Sequence, residues 1–211
     1  MGLTGKQIKF LRWLLRICLA GPLVWWIYLG FQGELGVQPV VKLNVETGYV
    51  ALVLLVVNLA IGACLSLKKN WPSWTRWFFT ERRWLGTWAG FYVTAHVFFY
   101  LAKEAFLPEA FVQAVTKTYL LAGTLATVIL WMMTLTSNDY SQRKLGRKWK
   151  KLHRWVHVAS ILILIHVFLI EKANLVLLAA LTLPLAPFQI WRLLIYLKTK
   201  VQDSRAASGS R

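Results

Sequence analysis

The sequence predicts an all-α integral membrane protein, a six-transmembrane-helix bundle with both termini in the cytoplasm. Three observations carry this. Of 211 residues, 57% are apolar and the mean hydropathy is +0.51, values of the membrane class. Six runs carry no charge: Ile17 to Gly33, Thr47 to Leu67, Trp84 to Ala102, Thr118 to Asn138, Trp155 to Ile170 and Ala173 to Trp191. Each is close to the roughly 20 residues that cross about 30 Å of hydrocarbon as helix. The third observation is where the cations fall. Of 25 Lys and Arg, 21 flank these runs on one side, leaving Lys42, Lys103, Lys117 and Lys172 on the other, an asymmetry that puts the crowded side in the cytoplasm. The net charge of +17 then reads as topology plus attraction to anionic membrane lipid, with no nucleic-acid partner.

Taken in order, residues 1–9 form a cytoplasmic N-terminus and residues 10–197 the membrane domain. The first helix, about Phe10 to Phe31, continues past Gly21-Pro22 into Trp25-Trp26 without a small-residue cleavage site, so it reads as a retained span. Arg12 and Arg16 snorkel to the inner interface. Cys18 and Cys64 sit inside apolar spans and read as small buried residues. A loop with Gly and Pro breakers leads to the second helix, about Thr47 to Leu67, where Asn58 reads as interhelical glue ahead of a cofactor contact. Next, KKNWPSWTRWFFTERR alternates aromatic and basic residues, the pattern of a segment lying in the headgroup region; a docking face or flavin platform is the sharper alternative. The third helix runs outward from about Arg82 to Lys103 and the fourth returns from about Lys117 to Asn138. A short basic loop, NDYSQRKLGRKWKK, precedes the fifth helix from about Leu152. The sixth ends near Leu197 and is expected to kink at Pro184 and Pro187; residues 198–211 have a disordered composition. No internal repeat is apparent.

All four histidines fall in or at the edge of these spans, where an imidazole is costly unless something binds or pairs with it. His96 on the third helix and His166 on the fifth lie at similar depth near the outer face. Two imidazoles from facing helices are what a six-coordinate b-type haem requires. Nearer the inner face, Arg82 and His153 share a level, so the pattern offers two stacked positions. Fourteen residues separate Arg82 from His96 and return nearly to the same helix face, with Ala89 midway; thirteen separate His153 from His166 and leave them roughly 140° apart on an ideal helix. A bulge, a tilt or different neighbours must reconcile that pair, past a slim wall at Ala159 and Ser160. His157, one turn beyond His153, competes for the inner role. Gly86 and Gly90 form a GxxxG pair that reads as close helix packing.

No dinucleotide fingerprint and no phosphate loop is present, so electrons must arrive from elsewhere, from a quinol in the bilayer or a cytosolic flavin reductase.

The strings RKLGRKWKKLHRWVHVASILILIH, ERRWLGTWAG and AHVFFY, with the opening LTGKQIKFLR, resemble the MsrQ family, part of the ferric-reductase-like transmembrane group. The resemblance covers nearly the whole chain. It implies six helices, one or two b haems, a location in the bacterial inner membrane, and a non-catalytic role in methionine sulfoxide reduction. Electrons would pass to a periplasmic molybdenum-containing MsrP-like reductase that repairs oxidised methionines. FMN is associated with the family, and nothing in the sequence places it. Residue by residue, the family's histidines match His96 in AHVFFY, His153 in KLHRWVH and His166 in LIHVF, and its arginine matches Arg82. His157 stands where the family usually has an aromatic, which leaves the inner ligand open between His153 and His157. Two rival readings are a ferric or quinone reductase-type cytochrome b acting without MsrP, and a haem-free transporter with histidines on a proton path. The transporter lacks support from inverted repeats, and the paired prolines of helix six are the breaks the chain offers it.

Overall fold

Thr4 opens the first helix through a capping box. Its hydroxyl accepts from the Gln7 N–H, and the Gln7 side chain accepts from the N–H of Thr4. This belongs to a computed structural model that describes residues 3–67, 71–72 and 75–170, with isolated positions 179, 187, 190, 194 and 201. Because the cap lies ahead of the apolar run, α1 spans Gly5–Phe31 and starts five residues earlier than hydropathy predicts. The same happens at α2, Pro39–Leu67. Proline is preorganised for a first helical turn, and so Lys42, Asn44 and Glu46, expected in a loop, are helical.

The remaining elements are α3 (Arg76–Thr80), α4 (Arg82–Lys103), α5 (Pro108–Thr116), α6 (Thr118–Leu135), α7 (Asp139–Leu145), α8 (Arg147–His153) and α9 (Val156–Phe168). The basic stretch expected as a loop is therefore two short helices. Asn138 caps α7 by accepting from the Ser141 N–H, and Gly146, at φ +50°, turns the chain into α8. Arg83 at the start of α4 pairs with Asp139 at the start of α7 and holds that carboxyl below its usual range, through the hydrogen bond first and the guanidinium charge second.

The chain is a multi-pass membrane protein. Among the described residues, four helical stretches are long and apolar enough to cross a membrane: Gly5–Phe31, Pro39–Leu65, Thr118–Leu135 and Arg147–Phe168, the last joining α8 to α9. α4 has the length but a lower hydropathy, because its sequence carries Trp, Tyr, Gly and His. Tyr92 at its centre is completely buried and donates to the carbonyl of Leu19 on α1 at 2.7 Å. The expected sixth span, with Pro184, and the tail lie outside the described residues, apart from the isolated positions named above.

α2 packs along α4, and α6 along α9; α4 against α6 joins the two pairs. Both pairs are antiparallel. Asn44 meets His96 while Asn58 meets Arg82, and Tyr119 meets His166 while Thr136 meets His153, so the order inverts each time. The GxxxG glycines serve packing, Gly86 against Asn58 and Gly90 against Thr134.

At the α3–α4 junction, Glu81 is buried, 3% exposed, and pairs with two arginines one turn apart on α1. Arg12 Nε lies 2.9 Å away and Arg16 Nη2 3.9 Å, while Arg12 also donates to Thr80 and Arg16 covers the Trp84 ring. The arginines thus reach a specific carboxylate as well as the interface. Glu81→Ala is expected to loosen α1 from the bundle by about 1–3 kcal/mol, less than a fully buried pair because both arginines are more than a third exposed. Thermal unfolding in detergent reads this. Glu81→Gln, which keeps the shape, should recover part of the loss.

Candidate functional site

His96 on α4 and His166 on α9 face each other with ring centres 6.4 Å apart and planes 81° apart. Each ring is fixed by the helix packed behind it. His96 Nδ1 is 2.7 Å from the carbonyl oxygen of Asn44 on α2, and His166 Nδ1 is 2.7 Å from that of Tyr119 on α6. A carbonyl can only accept, so both Nδ1 atoms carry the proton and both Nε2 lone pairs are left for another partner. Asn44 adds a second hold, its amide donating to the backbone carbonyl of His96 at 2.8 Å. The Tyr119 ring stacks beside His166 at 6.1 Å.

The space behind each imidazole exists because a glycine stands there. A Cβ on Gly48 would come within 2.9 Å of His96 Nδ1, and one on Gly123 within 2.8 Å of His166 Nδ1. Neither glycine, nor Asn44 or Tyr119, is singled out by reading the sequence for histidines. The available signal is spacing, since each glycine follows by four residues the residue whose carbonyl accepts from the imidazole.

The inner level is built differently. Arg82 is gripped by Asn58, whose amide donates to the Arg82 carbonyl at 2.7 Å and whose oxygen accepts from Arg82 Nε at 3.0 Å. Asn58 is thus the interhelical glue expected of it. His153 stacks on Trp149, 4.0 Å between ring centres, and its Nε2 lies 3.2 Å from the Thr136 hydroxyl. Trp149 donates to the Thr136 carbonyl, so the three residues lock α8 onto the end of α6. His157 is partly buried in the first turn of α9.

Between His153 and α9 the chain tightens and does not bulge. The N–H groups of Arg154, Trp155 and His157 bond three residues back. Three such tight steps overwind the chain by about 60° in all, which narrows the ideal mismatch between His153 and His166 to about 80°.

The pair His96–His166 fits a metal held by a macrocycle. Metal–imidazole bonds of about 2.0–2.1 Å, plus about 1.15 Å from each Nε2 to its ring centre, put two trans imidazoles about 6.3–6.5 Å apart. Among the described residues no three His, Cys, Asp or Glu side chains converge, so a tetrahedral protein-only site is not supplied by them. α4 and α9 make no extensive contact with each other, each leaning on its own partner helix.

The model of the ferric reductase like transmembrane component family matches residues 47–164. Over 169 residues the chain is 34% identical to the protein-methionine-sulfoxide reductase heme-binding subunit MsrQ of Enterobacter sp. (strain 638), covering 79% of this chain and 82% of that protein. It is 35% identical, over the same shares, to the subunit of that name from Cronobacter sakazakii (strain ATCC BAA-894). The chain belongs to the MsrQ family. A third MsrQ, from Pasteurella multocida (strain Pm70), is 34% identical over 165 residues, 76% of this chain and 78% of that protein. The region shared with the ferric-reductase-like group begins one residue before Gly48 and stops two short of His166, so it holds Arg82, His96, His153 and His157. No solved structure matches this MsrQ-family chain.

Proposed function

We propose that this chain is the haem b electron-transfer subunit of a protein-methionine-sulfoxide reductase in the bacterial inner membrane. It takes electrons from quinol or a cytosolic flavin reductase and delivers them to a periplasmic molybdenum-containing partner of the MsrP kind. The observation that carries this reading is the His96–His166 pair, at 6.4 Å with both Nδ1 atoms bonded to backbone carbonyls. When bound there, haem supplies a reversible one-electron carrier. The chain's own part is to hold two neutral imidazoles by Nδ1, which leaves each Nε2 lone pair for another partner. The Nδ1–H bonds to carbonyls set the tautomer and raise ring basicity. With both imidazoles holding the group, His96 and His166 would serve conduction and not bond chemistry.

Arg82 and His153 are proposed for an inner haem position, His157 being the alternative ligand. His153 would have to give up its contact with Thr136 Oγ1, or present its other nitrogen. No described residue set argues for FMN.

Oxidised and reduced spectra of the detergent-purified protein, with a pyridine haemochrome count, test the reading. A low-spin b-type spectrum is expected, and the count separates one site from two. A colourless protein from haem-replete cells would return the chain to the transporter class. Copurification with a periplasmic reductase distinguishes the proposed role from that of a self-sufficient ferric or quinone reductase.

A further inference from the structure

α2 carries one small motif twice. Asn44 and Gly48 are four residues apart, as are Asn58 and Gly62, and the two pairs are separated by the same fourteen residues that separate Arg82 from His96 on α4. Each pair does the same thing. The asparagine amide donates to the backbone carbonyl of the α4 residue, at 2.8 Å for His96 and 2.7 Å for Arg82. The glycine admits that residue's side chain, a Cβ on Gly48 meeting His96 Nδ1 at 2.9 Å and one on Gly62 meeting Arg82 Nη2 at 3.0 Å. Such a pair reads as a cradle for one α4 side chain.

The outer cradle has a counterpart on α6, built from Tyr119 and Gly123. The spacing of four has a physical reason. In an α-helix the carbonyl of residue i already accepts from the N–H of residue i+4, and its second lone pair points out past that residue. A Cβ at i+4 would crowd the approach to that lone pair, whereas glycine leaves it open to a donor from another helix.

We propose that Gly48 and Gly123 are positioning residues for the two imidazoles, and that with the carbonyls of Asn44 and Tyr119 they fix the near-perpendicular ring planes and the electron-donating strength of both rings. The proposal rests on the haem reading above. It assigns the glycines a role separate from general helix packing, because the atom each would strike is Nδ1, the atom that makes the carbonyl bond. Displacing the ring stretches or breaks that bond. An imidazole with a weakened Nδ1–H bond is the poorer donor, stabilises the oxidised metal less, and raises the midpoint potential.

The test uses the full-length, haem-loaded protein in detergent. Electron paramagnetic resonance of the oxidised wild type reports the planes directly. Perpendicular imidazoles give a strongly anisotropic low-spin signal and parallel ones a rhombic signal. The expected result is the anisotropic signal in wild type, its loss or shift in Gly48→Ala and Gly123→Ala, and an upward move in midpoint potential in both. A rhombic wild-type signal would overturn the proposal even if neither variant folds. So would glycine variants that keep haem with signal and potential unchanged. Failure of the haem reading itself looks different: wild type without haem, or haem content indifferent to His96→Ala and His166→Ala.

Discussion

His166→Ala loses haem at least tenfold and stops electron delivery. Removing a partner one shell beyond a metal ligand commonly weakens binding by about 10–100-fold, so removing the ligand itself should weaken it no less. The reason lies in how the two halves are held. His96 is fixed by Asn44 on α2, His166 by the Tyr119 carbonyl on α6, and α4 and α9 meet little otherwise. With one imidazole gone, the remaining histidine is held on its own helix pair and has lost the ring that faced it at 6.4 Å. His96→Ala should behave in the same way. Free imidazole added to either variant should restore part of the low-spin spectrum by filling the space left behind. His153→Ala, by contrast, leaves the outer pair intact, so the pyridine haemochrome count should fall by no more than one haem. A His166→Ala protein with full haem content and full electron delivery would sink the assignment.

The two histidines that face each other were legible and the residues that hold them were not, for a physical reason. Histidines inside apolar spans stand out because bilayer depth penalises them, so His96 and His166 could be paired by depth before any packing was known. Asn44 could not, because hydropathy places it in the loop before the second span; only the proline-started helix turns its amide toward α4. Glycines carry no chemistry, and Gly48 and Gly123 acquire meaning only when an imidazole from another helix is seen against them. The Asn-x-x-x-Gly repeat on α2 was visible as a string, yet nothing marked it until its spacing met that of Arg82 and His96 on the opposing helix. Phase arithmetic left a bulge, a tilt or different neighbours open for His153 and His166, and the tight turn at residues 154–157 takes up part of that mismatch. Helix ends were missed wherever polar residues continue a helix beyond the hydrocarbon, as at Gly5, Pro39 and Arg147, because charge-free length measures the bilayer and not the hydrogen-bonded turn.

Gly90→Ala is expected to lower haem retention while leaving both histidines in place. Gly90 lies on α4 where it meets α6, and this contact joins the α2–α4 pair to the α6–α9 pair. A Cβ there would fall 2.0 Å from Thr134 Oγ1 and 2.9 Å from Thr134 Cβ and Cγ2, so one methyl group must push the helices apart or drive Thr134 from its rotamer. Overpacking of this kind costs about 1–3 kcal/mol. Separation of the pairs also pulls His96 from His166, and a metal–imidazole distance tolerates little stretching, so much of that cost should appear as weaker haem binding, roughly five- to hundredfold. Transfer of haem to a soluble acceptor protein measures the loss rate directly. Thr134→Ala removes the atom at 2.0 Å, so the double variant should retain haem better than Gly90→Ala alone, with an interaction energy of about 0.5–3 kcal/mol in the cycle. If Gly90→Ala kept haem as tightly as wild type, the α4–α6 contact would not set the distance between the imidazoles, and that distance would have to be fixed within the two helix pairs alone.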